Sequence, residues 1–328
     1  MNPLDFEGSV LFGPKSFTEV TNRHGVWNEK APEIAEGDRE DRPCPYCGQW
    51  SNNIVLISKD GWRYDRCKTC GLIYQPEVPS VEKLREVYTS FPAQEMWVSV
   101  QGNPIELEID RRKFRWMLEQ VGWPQGVGDA TDTKSVLDIG MSTGTMLEVA
   151  ERMCAPAPCV IAGVEVNDQA RKVAENRLLN LQVCPICLPA IDRKFDLIVL
   201  SEVLEHVRDP MRMLWEAACL LSPKGAMIVT VPNADSLAVR VLHEKAPVWG
   251  LGHLQIPGVE TLRQMMVTVL PDDELKFFSF VSFARELSNH FNLNPIFAED
   301  HPQPMWYDPK TVLDRLQGYK LLCVARKK

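Results

Sequence analysis

The stretch SVLDIGMSTG at residues 135–144 is a short apolar strand that ends in an acid and breaks into a turn with two glycines. Val136 and Leu137 enter the turn at Asp138, Gly140 and Gly144 bracket it, and Thr145-Met146-Leu147 begins a helical pattern. Strand, glycine-rich turn and helix in this order form a cradle for a nucleotide-like ligand. Glycine suits such a turn because backbone without a Cβ approaches a ligand closely and takes positive φ. The free N–H groups of the helix start point into the same space. A second strand, expected over 160–166, carries Glu165 about 20 residues past the turn, where a carboxylate can take both hydroxyls of a ribose. A helix is expected after it, over 167–180.

Dinucleotide dehydrogenases are the natural competitor, but their turn reads Gly-x-Gly-x-x-Gly. Here the order is Asp-x-Gly-x-Ser-x-Gly, with the acid ahead of the first glycine. A second signature, FDLIVLSEVLEHVRDP at 195–210, is an apolar strand whose polar cluster Ser201, Glu202, Glu205 and His206 falls at its carboxyl end, where open α/β sheets bind ligands. A third is Leu220-Leu221-Ser222-Pro223-Lys224-Gly225, followed by a strand over 226–231 and Pro232-Asn233. In these three motifs and their order the chain resembles the class I S-adenosylmethionine-dependent methyltransferases. Ser142 stands where many members have the middle glycine. The resemblance implies an α/β fold, a Rossmann-like seven-stranded sheet with helices on both faces, and S-adenosylmethionine as cofactor. It places the cofactor on Asp138, Gly140, Ser142, Gly144, Glu165, Ser201 and Glu202. The last two strands of that sheet are expected over 294–299 and 319–325.

The chain has 328 residues, 45% of them hydrophobic, enough for a large domain and a smaller one. The first residues lack a basic segment followed by an apolar run, and no window approaches a membrane span, so a cytosolic location is the default expectation. Ten cysteines in such a chain point to metal or buried thiols. Cys44-Pro-Tyr-Cys47-Gly and Cys67-Lys-Thr-Cys70-Gly are two knuckles separated by nineteen residues, the spacing of a four-cysteine zinc ribbon. Four protein ligands leave no open position, so this zinc is expected to be structural. The intervening residues 54–56 and 62–64 suit a hairpin that the ion staples. Cys184 and Cys187 have no second pair to join them, and Cys154, Cys159, Cys219 and Cys323 read as core. The resulting organisation is an N-terminal extension over 1–40, the ribbon over 41–76, a helical cap and linker over 77–128, and the methyltransferase domain over 129–328. A substrate lid or insertion is expected at about 233–290, with residues 255–273 as a lid or dimer element.

For mechanism, His206 is the expected general base. An imidazole at the mouth of the cofactor site is suited to removing a proton from a hydroxyl aligned with the methyl group. The alternative is a histidine that caps the helix beginning near Asp209. Glu202, Glu205 and His206 together also resemble the metal-binding segment of ubiquinone-pathway O-methyltransferases and of small-RNA 2′-O-methyltransferases. That resemblance implies Mg2+ or another divalent ion on these three residues and offers His253 as a further ligand. By resemblance to bacterial methyltransferases of sugar and secondary-metabolite biosynthesis, Arg240, Trp249 and His253 are candidate substrate-binding residues. A net charge of −8 argues against a broad phosphate-binding face. The run Arg111, Arg112, Lys113 and Arg115 reads as a solvated helix face. The expected acceptor is therefore a small molecule, such as a hydroxyl of a sugar, glycan or secondary-metabolite intermediate. An RNA 2′-O-methyltransferase and a non-catalytic protein that binds S-adenosylmethionine or a partner are the alternatives. Oligomeric state stays open.

Overall fold

The computed structural model describes residues 34–50, 52–58, 60–89, 98, 101–129, 133–271, 273–281 and 309–327. Its first part is a small β module: β1 (Arg39–Asp41), β2 (Asn52–Ile57), β3 (Arg63–Cys67), β4 (Ile73–Tyr74) and β5 (Glu77–Pro79). β2 and β3 form the expected antiparallel hairpin between the two cysteine pairs, closed with Gly61 in a left-handed conformation. β1 pairs with β5, so the folded part begins before residue 41 and the expected extension over 1–40 is shortened at its end. Residues 1–33 lie outside the described residues.

Two helices follow. α1 (Val81–Thr89) starts where Ser80 Oγ accepts the Lys83 N–H, and it buries Leu84 and Val87. α2 (Pro104–Gln120) opens on proline, whose missing N–H costs nothing in a first turn, and buries Trp116, Met117 and Leu118.

The main sheet is built from β6 (Lys134–Ile139), β7 (Cys159–Val164), β8 (Gln182–Val183), β9 (Phe195–Ser201), β10 (Leu221–Pro232), β12 (Glu274–Phe280) and β13 (Lys320–Arg326). The remaining elements, in chain order, are α3 (Thr145–Cys154), α4 (Asp168–Arg177), α5 (Pro210–Cys219), α6 (Leu237–Leu242), β11 (Gln255–Ile256), α7 (Val259–Val269) and α8 (Pro309–Asp314). The sheet order is β12-β13-β10-β9-β6-β7-β8, with β6 to β10 parallel and β13 antiparallel to both its neighbours. Strand side chains alternate between two cores, as a sheet covered on both faces requires. Val136, Ile161, Leu197, Val199 and Ile228 face α2, α3 and α4, while Leu137, Ala162, Ile198, Leu200 and Met227 face α5 and α7. This is the expected Rossmann-like seven-stranded sheet with helices on both faces, and its order reverses between β6 and β9.

The structure corrects two expectations. Residues 255–273 are part of the core rather than an insertion: β11 joins the ribbon sheet beside β4, and α7 buries Leu262, Met265, Met266 and Val269 against the main core. The expected lid over 233–290 also includes a core strand, because β12 is the antiparallel partner of the last strand. The strand expected over 294–299 lies outside the described residues. Both errors have one cause, since a buried crossover helix and an edge strand with polar alternate positions look alike in a stretch read as inserted.

A third core joins the two parts. Trp62, Tyr64 and Ile73 of the β module pack with Val87 and with Ala234, Leu237, Val248, Trp249, Leu251 and Ile256 of the segment after β10. No helix among the described residues is long and apolar enough to cross a membrane.

Candidate functional site

The reversal between β6 and β9 opens a crevice at the carboxyl ends of the strands, where ligands of open α/β sheets bind. The turn after β6 enters it. Gly140 and Gly144 hold φ of 79° and 80°, and Ser142 also takes a left-handed φ of 48°. The departure from glycine thus retains the glycine-like backbone, at a cost of about 1–2 kcal/mol. Its N–H donates to Glu165 Oε2 at 2.9 Å and its Oγ donates to Gln101 at 2.5 Å. Glu165 lies just past β7, and its other oxygen accepts the Asn167 N–H at 2.7 Å. Asn167 in turn caps α4 by accepting from Gln169 and Ala170. Burial lifts the Glu165 carboxyl above its ordinary pKa.

Asp138 sits beneath the turn. It is buried, its Oδ1 has no hydrogen-bond partner, and burial, with the Glu165 charge nearby, raises its pKa to about 8. A Cβ on Gly140 would come within 2.6 Å of Val203, and one on Gly144 within 2.8 Å of Leu178. An orphaned buried acceptor, a turn that admits no side chain at its glycines and a helix start with no side-chain cap fit a nucleoside-bearing cofactor. Asp138, Gly140, Ser142, Gly144, Glu165, Ser201 and Glu202 all lie along this edge of the sheet.

The segment after β9 supplies a second cluster. Glu205 is fully buried, neither carboxylate oxygen has a hydrogen-bond partner, and burial drives its pKa well above the ordinary value. His206 Nε2 lies 3.9 Å from its Oε1. His206 Nδ1 is 2.6 Å from the Gly252 carbonyl and 2.8 Å from Tyr88 Oη. A carbonyl only accepts, so Nδ1 carries the proton and Nε2 is left with its lone pair. His253 is held in the same way, with Nδ1 2.6 Å from the Val248 carbonyl. Ligand atoms of Glu205, His206 and His253 lie within 4.8 Å of one another. Burial lowers the His206 pKa to about 4, with the Gly252 carbonyl opposing it. The helix cap at the start of α5 is Asp209, which accepts from Arg212 N–H, so the capping alternative for His206 falls away.

Glu202 adjoins this trio, its charge helping to raise the Glu205 pKa, but it has partners of its own. At φ 58° it turns its carboxylate to Thr230 Oγ1, at 3.0 Å, and to Lys320 Nζ. Of the residues expected to hold a divalent ion, Glu205 and His206 are grouped with His253, while Glu202 is paired with Lys320 from the start of β13. Trp249 is not at the site either: it is buried against Tyr64, and its indole N–H donates to the His243 carbonyl. Arg240 is exposed on α6. Of the three expected substrate residues, only His253 joins His206.

Tyr88, Lys320, Thr230 and Gln255 belong to this region and escaped the sequence reading. Gln255 donates to the Leu204 carbonyl and, at 2.8 Å, to the Val207 carbonyl, tying β11 to the Glu205 segment. Only the tertiary fold brings these residues together. The one sequence signal was the glutamine directly after His253-Leu254.

In the ribbon, Sγ atoms of Cys44 and Cys70, and of Cys47 and Cys67, are 3.5 Å apart, and all four lie within 4.8 Å. A tetrahedron with zinc–sulfur bonds of about 2.3 Å has edges of about 3.8 Å, so the four thiols fit a structural zinc ion. Gly48 and Gly71, one after each knuckle, take the left-handed step that closes it. Cys219 is exposed at the end of α5 rather than in the core, and Cys187 is exposed as well. The basic run on α2 is largely neutralised: Arg111 pairs with Glu148, Arg112 with Glu108 and Lys113 with Asp110.

Residues 125–268 match a family model described as a methyltransferase domain. A protein of transposon TN4556 from Streptomyces fradiae, of uncharacterised function, is 32% identical over 117 residues, 34% of each chain. A ubiquinone biosynthesis O-methyltransferase of Coxiella burnetii is 32% identical over 109 residues, which cover 31% of this chain and 45% of that protein. The chain thus spans less than half the length of these curated relatives. Among solved structures, the plantazolicin methyltransferase BpumL in complex with a pentazolic desmethylPZN analog and SAH is 16% identical at a TM-score of 0.49, covering 75% of this chain and 95% of that one. The family match falls on the parallel part of the Rossmann-like sheet, from the segment before β6 to α7, and the antiparallel strands β12 and β13 complete the sheet beyond it.

Proposed function

We propose that the protein is an S-adenosylmethionine-dependent O-methyltransferase that acts on a hydroxyl of a small molecule, such as a sugar, glycan or secondary-metabolite intermediate. The observation that carries the reading is Glu205, buried without a partner, beside His206 and His253 at the edge of the sheet that bears the cofactor turn. Asp138, the 140–144 turn and Glu165 bind the donor and aim its methyl at the crevice. His206 Nε2, with its lone pair free, is the nearest acceptor for the hydroxyl proton, and the Gly252 carbonyl fixes its tautomer. The relatedness to a ubiquinone biosynthesis O-methyltransferase supports oxygen as the atom methylated.

The grouping of three ligand atoms within 4.8 Å of one another favours a metal-assisted form of the reaction. Glu205, His206 and His253 would hold the ion. Two imidazoles and one carboxylate favour a transition-metal ion over Mg2+. When bound, such an ion lowers the pKa of a hydroxyl and gathers the acceptor's oxygens. The paired basic run on α2 and the net charge of −8 weigh against an RNA acceptor.

The test is transfer of a labelled methyl from S-adenosylmethionine to panels of hydroxylated small molecules and to RNA, after dialysis and after adding back Mn2+ or Co2+. Turnover of a small hydroxylated acceptor, increased by the ion, is the expected result. Salt-sensitive methylation of RNA would move the acceptor to nucleic acid, and donor binding with no turnover would make the protein a binder. The donor half has its own check. Gly140→Ala puts a methyl group against Val203 at a left-handed φ, and titration calorimetry should show S-adenosylhomocysteine affinity falling about tenfold. Unchanged affinity would place the donor elsewhere.

A further inference from the structure

The ribbon does more than stand beside the methyltransferase sheet, and the link is one hydroxyl. Tyr64 on β3 is fully buried, with its ring 4.9 Å from that of Trp249. Its Oη accepts the Gly250 N–H at 2.9 Å and the Gln75 side-chain N–H at 3.0 Å, and lies 2.9 Å from the Gly250 carbonyl and 2.8 Å from the His253 carbonyl. One phenolic proton serves two carbonyls, so the oxygen sits at the hub of the turn 250–253 and holds both its ends. The turn contains two glycines, which leave it little order of its own. It presents the Gly252 carbonyl to His206 Nδ1 and to Tyr88 Oη, and it carries His253, whose ring centroid is 5.0 Å from that of His206.

The same turn is pinned on its far side. Gln255 and Ile256 of β11 pair with Tyr74 and Ile73 of β4. Arg42, buried just before the first knuckle, donates to carbonyls of Gln75, Arg208 and Leu254. The ribbon therefore bonds the backbone on both sides of His253, and the histidine pair inherits its geometry from residues held in register by the four-cysteine knuckles.

We infer that Tyr64 is a positioning residue of the methyl-transfer site, through which the ribbon fixes His253 and the tautomer of His206. The inference rests on the proposed function for its kinetic consequence, but its structural half stands apart from it. A tyrosine that only fills the core would have its ring, not its hydroxyl, as the useful part.

Tyr64→Phe keeps the ring and removes the hydroxyl. With histidines labelled with 15N, the metal-free wild-type protein should show His206 as a single tautomer protonated at Nδ1, and the variant a mixture. S-adenosylhomocysteine affinity should stay within about twofold, since the donor turn is untouched, while kcat falls about 10–100-fold with the donor KM unchanged, the loss typical of misplaced positioning groups. An unchanged His206 tautomer in the variant overturns the inference whatever the activity. A wild-type protein that methylates no acceptor overturns the proposed function and leaves the tautomer comparison to decide this one. Gln75→Leu removes the amide that orients the hydroxyl and leaves the tyrosine in place. It should give the same signature in weaker form, and an intact His206 signal with intact kcat in that variant would also count against the role.

Discussion

Replacing Glu205 by glutamine is expected to raise the thermal unfolding temperature of the metal-free protein by a few degrees and to lower methyl transfer by about 100-fold or more. The two effects have one origin. A carboxyl with no hydrogen-bond partner and no exposure is costly to bury, and the cost shows as a pKa driven well above the ordinary value. Folding keeps such a group only where something outside the fold uses it. Glutamine has nearly the same shape and stays neutral without taking up a proton, so the cost of burial falls while the ligand or proton relay is lost. Differential scanning calorimetry with and without Mn2+ separates the readings. Added ion should stabilise the wild-type protein and leave Glu205→Gln where it was. A variant that loses stability in metal-free buffer, or keeps full activity, would return Glu205 to an ordinary core residue.

The second large effect is expected at the ribbon. Cys44→Ser with Cys70→Ser removes two of the four thiols that lie within 4.8 Å of one another. A structural zinc contributes about 10–16 kcal/mol in small zinc modules, so losing it should unfold the ribbon outright. Because Trp62, Tyr64 and Ile73 share a core with Val248, Trp249, Leu251 and Ile256, the loss should spread to the segment that carries His253. Calorimetry should then show a single transition of reduced enthalpy, from the main sheet alone, which still binds S-adenosylhomocysteine, with transfer abolished. Metal analysis of the wild-type protein should find zinc close to one per chain. A wild-type protein without zinc, or a double variant that melts as the wild type does, would remove the ion from the ribbon.

How much of this was legible in the sequence can be judged residue by residue. The turn at 135–144 was readable because strand, acid and glycines are contiguous, and the backbone that glycine permits is a local property. Ser142 shows the limit of that reading. It occupies a left-handed conformation that sequence alone would assign to glycine. The cysteine knuckles were readable for the same local reason, since each C-x-x-C-G forms its own loop. Helix α7 and strand β12 were misread because their apolar residues are spaced to face a sheet formed by distant segments, and only that sheet distinguishes a core element from an insertion.

The site divides along the same line. Residues 202–206 are adjacent in sequence, so the polar cluster after β9 was visible, but the division of labour within it was not. Lys320, more than a hundred residues later, pairs with Glu202, and the ribbon brings His253 in. The sequence by itself determined the parallel strands of the sheet, the glycine-rich turn and the thiol set of the ribbon, because each depends on short-range periodicity or on neighbouring residues. The tertiary structure alone decided which side chains surround Glu205, because a buried carboxyl takes its neighbours from whichever elements the packing places around it, and these come from α1, the turn before β11 and the start of β13.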